Sequence, residues 1–479
     1  MMIKNSFFIF SILIIFLLTG CASVNLEKFN EAYYTRGDIE AAYNIAKENS
    51  NMPQEDIKEH QQKSDDLLWQ VQAGISGFYA NKKESIVFLE SADRLMQDSI
   101  KNFATNFFGS IGAILTSDNA LPYPIYLYEA SMVNYYLALE SMQQGKNKDA
   151  RVYLNQALER QNDAKSYYAK ELERSQEGLS AVKKVSDDAS KTDQYLAVTM
   201  DFARNKGEEN LTQLKEKYIN PIIPYLKFIF ELKNRNFSSI ASMSADDFAL
   251  IPIEDRVILN KRKKGNHKKY VWIIIEDGKN ASKETLAFSI PLPMNPEIFL
   301  NPAMLAVALS GKEGAIFVAA ASSSILLNYA EPKIIKGIDF ATSYQIDHKE
   351  IPKYFTLSDL MITEFNKRLA GIRTRAILRS IPPAIVAFLS EELGRQAGFR
   401  GLGFLTSLGH RLILSADVRS VTALPNSFYI TRIENTKGEK ELIINHQNTL
   451  KFSIKNQDKD AIVYIRNLGN NKLFMKIFE

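Results

Sequence analysis

The stretch LYEASMVNYYLALESMQQGKNKDARVYLNQALERQ, residues 127–161, decides the fold of this chain. Apolar and aromatic residues recur at spacings of three and four on both sides of the polar pair Gly145-Lys146. This periodicity is typical of two amphipathic helices, and the Gly-Lys pair is typical of the short turn between them. The stretch therefore predicts a helical hairpin.

The same pattern recurs around Gly37-Asp38 and Asn81-Lys82, and a fourth candidate ends at Asn234–Asn236. Residues 26–240 are accordingly predicted to be mostly helical. A bulky residue, a small one, a tyrosine and then a polar turn resemble the tetratricopeptide repeat. The first three turns are 44 and 64 residues apart, whereas that repeat has a period of about 34. We therefore expect degenerate or interrupted repeats, and a plain α-helical bundle is the alternative.

Tyrosines are plentiful in the helical half, and those exposed on an inner surface would anchor a partner peptide. The candidates are Tyr33, Tyr34, Tyr79, Tyr135, Tyr136 and Tyr153.

The pattern changes after residue 250. We predict a strand at 270–275 that pairs with a second strand at 285–290, and short antiparallel strands from residue 426 onward. The later strands are predicted at 428–433, 441–445, 450–454, 461–466 and 473–478. The expected fold class is α+β, with a helical tetratricopeptide-like domain over 21–250 and a mixed domain with antiparallel strands over 251–479.

Residues 359–381 read as a helix, and the Gly-rich stretch 384–414 follows it. Two glutamates and three arginines inside that stretch exclude a simple membrane span. A packed hairpin fits the pattern, and so does an element that contacts membrane or mediates oligomerisation.

Residues 1–20 are interpreted as a cleaved export signal. A single Lys4 precedes an apolar run that is shorter than a membrane span and ends in Leu18-Thr19-Gly20-Cys21. These four residues resemble the lipobox of bacterial lipoproteins, in which the cysteine thiol receives the lipid. Cys21 is the only cysteine of the chain, so it has no disulfide partner. Ala22 follows it instead of Asp, which favours the outer membrane in a Gram-negative cell.

The order of several short motifs resembles a family of Gram-negative lipoproteins with a tetratricopeptide-like first half and a mixed second half. The motifs are Tyr128-Glu129, Asn134–Leu139, Ala150-Arg151-Val152, Arg160-Gln161, Asn220-Pro221, Tyr225-Leu226, Glu276-Asp277-Gly278, Ile290–Pro293, Asp417–Ser420 and Leu424-Pro425. Members of this family look like neighbours of a lipoprotein that activates penicillin-binding proteins. The resemblance thus implies a role in the cell envelope.

No local motif of a catalytic or cofactor site is present in the sequence. Nucleophile elbow, zinc-protease and phosphate-loop patterns are missing, and no two histidines lie within five residues of each other. The histidines are His60, His267, His348, His410 and His446. A formal net charge of +4 is too small to indicate nucleic-acid binding. We expect neither an enzyme nor a cofactor.

Two groups of residues are candidate contact sites. Asp417, Arg419 and Ser420 lie between a helical stretch and the last strands, where they form either a structural clamp at the junction or a contact with a ligand or partner. The second group is basic and is interpreted as a solvated loop or as a contact with anionic lipid, lipopolysaccharide or an acidic partner. Its members are Lys261, Arg262, Lys263, Lys264, Lys268 and Lys269.

The sequence as a whole favours a scaffold that is anchored to the outer membrane through the lipid on Cys21 and that binds a protein of the envelope. A lipid- or glycan-binding module is the first alternative. A hydrolase acting on peptidoglycan or polysaccharide is the second, and it requires two carboxylates in one cleft.

Overall fold

The computed structural model describes residues 21–50, 65–106, 122–162, 219–293, 324–366 and 414–479, with six further residues between 366 and 381. The predicted export signal lies outside these ranges. So does the Gly-rich stretch, apart from Leu414.

The first half of the described chain is helical. Its helices are α1 (Cys21–Asn30, continued by a π-helical turn Glu31–Thr35), α2 (Ile39–Asn49), α3 (Asp66–Tyr79), α4 (Ser85–Asn106), α5 (Leu127–Gln143), α6 (147–162), α7 (Ile222–Lys233), α8 (Phe237–Ala241), α9 (Ala245–Ala249) and α10 (Ile253–Lys263). A further helix, α11, covers 357–366. The order of helices followed by strands confirms the α+β class.

Each of the four predicted turns contains a residue with a left-handed backbone. These residues are Gly37 (φ 61°), Asn81 (54°), Gly145 (71°) and Arg235 (56°). The residue after each one donates its N–H to a carbonyl of the last helical turn, at 2.8–2.9 Å. At Asn81, Gly145 and Arg235 this bond spans five residues, as in a Schellman C-cap, which satisfies carbonyls that the helix end leaves unpaired. At Gly37 the bond from Asp38 to Ala32 spans six residues, because the helix before it ends in a π-helical turn. Three of the four turns therefore share one backbone geometry.

Consecutive helices pack on each other along the chain, α1 on α2, α2 on α3, α3 on α4 and α4 on α5. Small residues allow the close approach at one of these contacts. A Cβ atom added to Gly74 of α3 would lie 2.5 Å from Cγ of Leu89 in α4. Glycine is thus required at residue 74 by the neighbouring helix rather than by the backbone angle.

The second half forms strands in three sheets. The strands are β1 (Tyr270–Asp277), β2 (Ser282–Pro293), β3 (Ser324–Ile335), β4 (Tyr344–Ile346), β5 (Lys349–Glu350), β6 (Lys353–Thr356), β7 (Ser427–Glu434), β8 (Lys440–Ile444), β9 (Asn448–Phe452), β10 (Ala461–Asn467) and β11 (Leu473–Phe478). Their orders are β11-β10-β1-β7-β6, β2-β3 and β5-β4-β8-β9.

The expected pairing of the strand at 270–275 with the strand at 285–290 was wrong. The strand at 270–277 does not pair with the next strand along the chain. It lies instead at the centre of the five-stranded sheet, parallel to β10 and antiparallel to β7. The second strand pairs with β3 over its whole length, through Pro293. The backbone of a central, buried strand such as β1 forms hydrogen bonds along both edges with strands that are distant in the sequence. The spacing of elements along the chain does not reveal these partners.

The five-stranded sheet lies between the helices and the four-stranded sheet. Trp272 and Ile274 on one face of β1 belong to the core shared with the helical half. Val271, Ile273 and Ile275 on the other face pack with residues of β4, β8 and β9. Alternate side chains of β1 therefore belong to two different apolar cores. One of these cores contains residues from both sides of residue 250.

Residues 253–263 form helix α10, where the sequence interpretation placed a loop. Glu254 and Asp255 stand in its first turn and basic residues in its last, as the helix dipole favours. Asp255, Ile258 and Leu259 give it one buried face. These were the signals of a helix. Among the described residues, no helix is long and apolar enough to cross a membrane.

Candidate functional site

Residues 416–426 form an irregular segment that is almost entirely buried, and we call it the buried segment. It contains the predicted contact residues Asp417, Arg419 and Ser420 and leads into β7. Because it has no regular secondary structure, its backbone N–H and C=O groups need partners from other parts of the chain. Both halves of the protein supply them.

Side chains of the helical half bind the buried segment from one side. The Gln72 amide of α3 accepts a hydrogen bond from the Ala423 backbone N–H (2.9 Å) and donates one to the Thr422 hydroxyl (2.8 Å). Tyr34 donates to the Thr422 carbonyl, and Tyr33 lies 3.4 Å from the Ala423 carbonyl. Side chains from two helical elements thus contact this segment, largely at its backbone, as the groove of a peptide-binding domain does with an extended peptide.

The sheet binds the end of the buried segment. The Asn426 backbone N–H donates to the Asp277 carbonyl (2.8 Å) at the end of β1, and its carbonyl accepts from Leu357 N–H (2.7 Å). The Asn426 side-chain amide donates to Asp339 (2.6 Å). The segment therefore fastens the helices to the sheet.

Arg419 forms a buried ion cluster with two carboxylates. Its Nε and Nη2 each lie 2.9 Å from an oxygen of Asp417, and its Nη1 donates to Asp65, which directly precedes α3. Burial disfavours the guanidinium charge, but the two carboxylates outweigh it and raise the pKa of Arg419. The clamp and the contact with a ligand or partner both stay predictions for this motif. Ser420 Oγ is buried with no hydrogen-bond partner in the described part of the chain.

Glu129 of α5 lies beside this cluster, and it was not among the predicted site residues. Its carboxylate accepts hydrogen bonds from the hydroxyls of Tyr123 (2.8 Å) and Tyr128 (3.0 Å), and Val421 N–H of the buried segment lies 3.4 Å away. Burial raises the pKa of Glu129 to about 7, and the two tyrosine hydrogen bonds oppose that rise.

Glu364 of α11 caps the beginning of α5. Its two carboxylate oxygens accept the backbone N–H groups of Leu127 (2.9 Å) and Tyr128 (2.6 Å). The cap residue Tyr126 makes no such bond with its own side chain. A carboxylate at a helix N-terminus satisfies unpaired N–H groups and complements the dipole. This contact spans more than 230 residues of sequence and has no local signal.

A second polar cluster joins the halves at Glu276 of β1. Its Oε2 accepts hydrogen bonds from Tyr136 (2.8 Å) and Tyr79 (3.0 Å), and Tyr79 also bonds to Tyr464 (2.8 Å). Arg466, equally buried, lies 4.0 Å from the carboxylate. Burial raises the pKa of Glu276, and the Arg466 charge opposes that effect. The cluster is closed to solvent and links the helical half to the central strands of the sheet.

The tyrosines that were expected to anchor a peptide do not line an open surface. Tyr33, Tyr79, Tyr135 and Tyr136 are at most 2 % exposed, and Tyr34 is 8 % exposed. Their rings pack against the sheet and the buried segment, because the chain fills its own inner surface. Tyr153 alone of the six is half-buried, and it donates to Glu90 (2.8 Å).

The residues of the basic run differ in burial and in their partners. Arg262 is inside the protein, where both of its Nη atoms lie 2.6 Å from Asp460. Lys268 forms an exposed ion pair with Glu434 (2.7 Å), and Lys269 is half-buried. The remaining members extend into solvent from the end of α10 and stay candidates for an anionic surface. They are Lys261, Lys263 and Lys264.

The histidines of the described residues do not lie together. His267, His348 and His446 are exposed and lie in three separate connections, and His60 and His410 lie outside the described residues. Within the described ranges no three metal-ligating side chains converge. The cavity between the ends of α5 and α7 contains one carboxylate side chain, Glu479. Comparison with family models, curated protein sequences and solved structures found no match to this chain.

Proposed function

We propose that this chain is a lipoprotein of the Gram-negative outer membrane, anchored on the periplasmic face by acyl chains on Cys21, and that it acts as a non-catalytic scaffold for an envelope protein. The observation that carries the proposal is the sequence Leu18-Thr19-Gly20-Cys21 with no other cysteine in the chain. Each buried CH₂ of an acyl chain contributes about 0.8 kcal/mol, so two or three chains anchor a protein stably.

We further propose that the helical half is a degenerate tetratricopeptide-like array. The left-handed residue in each of the four turns supports it, and so does the stacking of consecutive helices with Gly74 against Leu89. In this proposal the array has two roles. Its inner side binds the chain's own buried segment, and its outer side is free to bind another protein.

The buried segment occupies the inner side of the helical half, so only the outer side is left for a partner. Since the inner tyrosines are already packed, an envelope partner contacts outer helical surface, for which the solvent-facing residues of α10 are the best defined example. Ile253 is 67 % exposed and Val257 is 42 % exposed on this helix, one turn apart, and Lys261 follows one turn later. An apolar stripe that ends in lysines fits an acidic partner surface or an anionic headgroup layer.

Crosslinking in cells followed by quantitative mass spectrometry of the captured proteins tests the scaffold role. The wild type is compared with Cys21→Ser and with a fusion of residues 1–26 to an unrelated domain, which shares the anchor but lacks the body. We expect envelope proteins enriched by the wild type over the fusion, and lost or reduced with Cys21→Ser. A wild-type capture identical to that of the fusion contradicts a scaffold role.

A further inference from the structure

A cavity of about 400 Å³ lies at the edge of the five-stranded sheet, and we call it the edge cavity. It is bounded by the C-terminal ends of α5 and α7 on one side and by β10 and β11 on the other. Small-molecule sites begin at roughly 300 Å³, so its size suits a small organic ligand. The lining residues are Met142, Gln143, Gly145, Asn147, Phe230, Lys233, Ile462, Lys476, Ile477, Phe478 and Glu479.

Two lysines line the edge cavity, and one is buried while the other is half-buried. Lys476 is 8 % exposed, and its ammonium group lies 3.9 Å from the centre of the Phe78 ring and donates to Gln143. Lys233, in the last turn of α7, is half-buried and forms no hydrogen bond or ion pair within the described part of the chain. Burial lowers the pKa of both lysines, that of Lys476 to about 8.

The acidic groups around these lysines compensate their charges only in part. Glu479 lines the cavity, and its side chain accepts a hydrogen bond from the Lys455 backbone N–H (2.7 Å). Glu140 is buried near Lys476, and burial raises its pKa. Asp460, which attracts Lys233, is already paired with Arg262. The two helix C-termini favour cations at this position, but the ammonium groups remain without a direct carboxylate partner.

We propose that the edge cavity binds a small organic anion, whose carboxylate or phosphate group lies between Lys233 and Lys476. The anion replaces the water that both ammonium groups lose on burial. Gln143 and Asn147 offer amide donors, and the apolar part of the ligand packs on Phe230 and Phe478. The site involves neither the lipid anchor nor the outer helical surface, so it is independent of the scaffold role.

A different role for Lys476 is protection of the sheet edge. β11 is the last strand of its sheet, and an inward-pointing charge on an edge strand discourages pairing with another chain. That role does not involve Lys233, which lies on a helix. Removal of Lys233 therefore separates the two interpretations.

Isothermal titration of the mature protein in detergent micelles, with inorganic phosphate and with citrate in separate arms, tests the proposal. We expect saturable one-to-one binding of at least one anion. Affinity should fall at least tenfold in both Lys233→Met and Lys476→Met, and stay unchanged in Lys264→Met, which removes an exposed lysine. The arm that saturates shows whether the site prefers phosphate or carboxylate.

Failure of both anions to saturate overturns the proposal, and so does equal affinity in the wild type and Lys233→Met. Circular dichroism of each variant establishes that it is folded. If Lys476→Met does not fold, Lys233→Met alone decides the result, because its side chain lies at a helix end and packs less deeply.

Discussion

Replacing Gln72 by methionine removes the two hydrogen bonds that hold the middle of the buried segment, with little change in side-chain volume. The substitution leaves the Ala423 N–H and the Thr422 hydroxyl buried without the partners that now lie at 2.9 and 2.8 Å. A buried polar group that loses its partner costs about 1–3 kcal/mol, so the two together cost roughly 2–6 kcal/mol. Each 1.4 kcal/mol changes an opening equilibrium about tenfold.

Hydrogen exchange measured by mass spectrometry on peptides covering residues 416–426 is the assay for this change. We expect exchange of the segment to be at least about 30-fold faster in Gln72→Met, because 2 kcal/mol is the lower end of the cost. Gln144→Met, which replaces an exposed glutamine, serves as the control and should exchange like the wild type. Exchange of residues 416–426 within threefold of the wild type in Gln72→Met refutes the claim that the helical half holds this segment.

Three further predictions concern stability, each measured by urea unfolding. First, the pKa of Glu129 is raised from 4.5 to about 7 in the folded state, so stability falls as pH rises between these values, by at most about 3 kcal/mol. Glu129→Gln removes this fall, and a variant-to-wild-type difference that is the same at pH 5 and pH 8 contradicts the assignment. Second, Arg419→Met leaves the Asp417 charge buried without its partner and should cost about 3–5 kcal/mol, whereas the double variant with Asp417→Asn should recover much of that loss. No recovery in the double variant would show that the pair is not coupled. Third, Gly74→Ala should lower stability by up to about 2 kcal/mol, because overpacking against Leu89 costs about 1–3 kcal/mol and outweighs the roughly 1 kcal/mol gain in helix propensity. A more stable Gly74→Ala protein would mean that the two helices have room between them.

Local features of the chain could be predicted from sequence. The turns at Gly37, Asn81 and Gly145 were evident because Gly and Asn are typical of the left-handed position that follows the end of a helix. Most strands after residue 426 were evident from alternation, although β10 is buried at every residue. These features depend on interactions within a few residues.

Features that depend on distant partners could not be predicted. The parallel pairing of β1 with β10 joins segments about 190 residues apart, and the cap that Glu364 places on α5 joins segments more distant still. The tyrosines show the same limit. A Tyr-rich helix is typical both of a binding surface and of a packed core, and only the position of the sheet decides between them.

Asp417 and Arg419 were selected as candidates because two opposite charges lie close together at a junction between predicted elements. What the sequence did not reveal is Asp65, the third member of the cluster, and Glu129 beside it. Both come from the helical half and meet the buried segment only after the chain has folded. The motif indicated the location of the clamp, but not its partners.

The central claim is that acyl chains on Cys21 hold this protein in the outer membrane. Mass spectrometry of the N-terminal peptide, from protein purified out of fractionated membranes, tests it most directly. The account predicts a mature chain that begins at Cys21, carries a diacylglyceryl group and is found in the outer-membrane fraction, and a Cys21→Ser protein without lipid. An N-terminal peptide that retains residues before Cys21, or an unmodified Cys21 thiol, would contradict it.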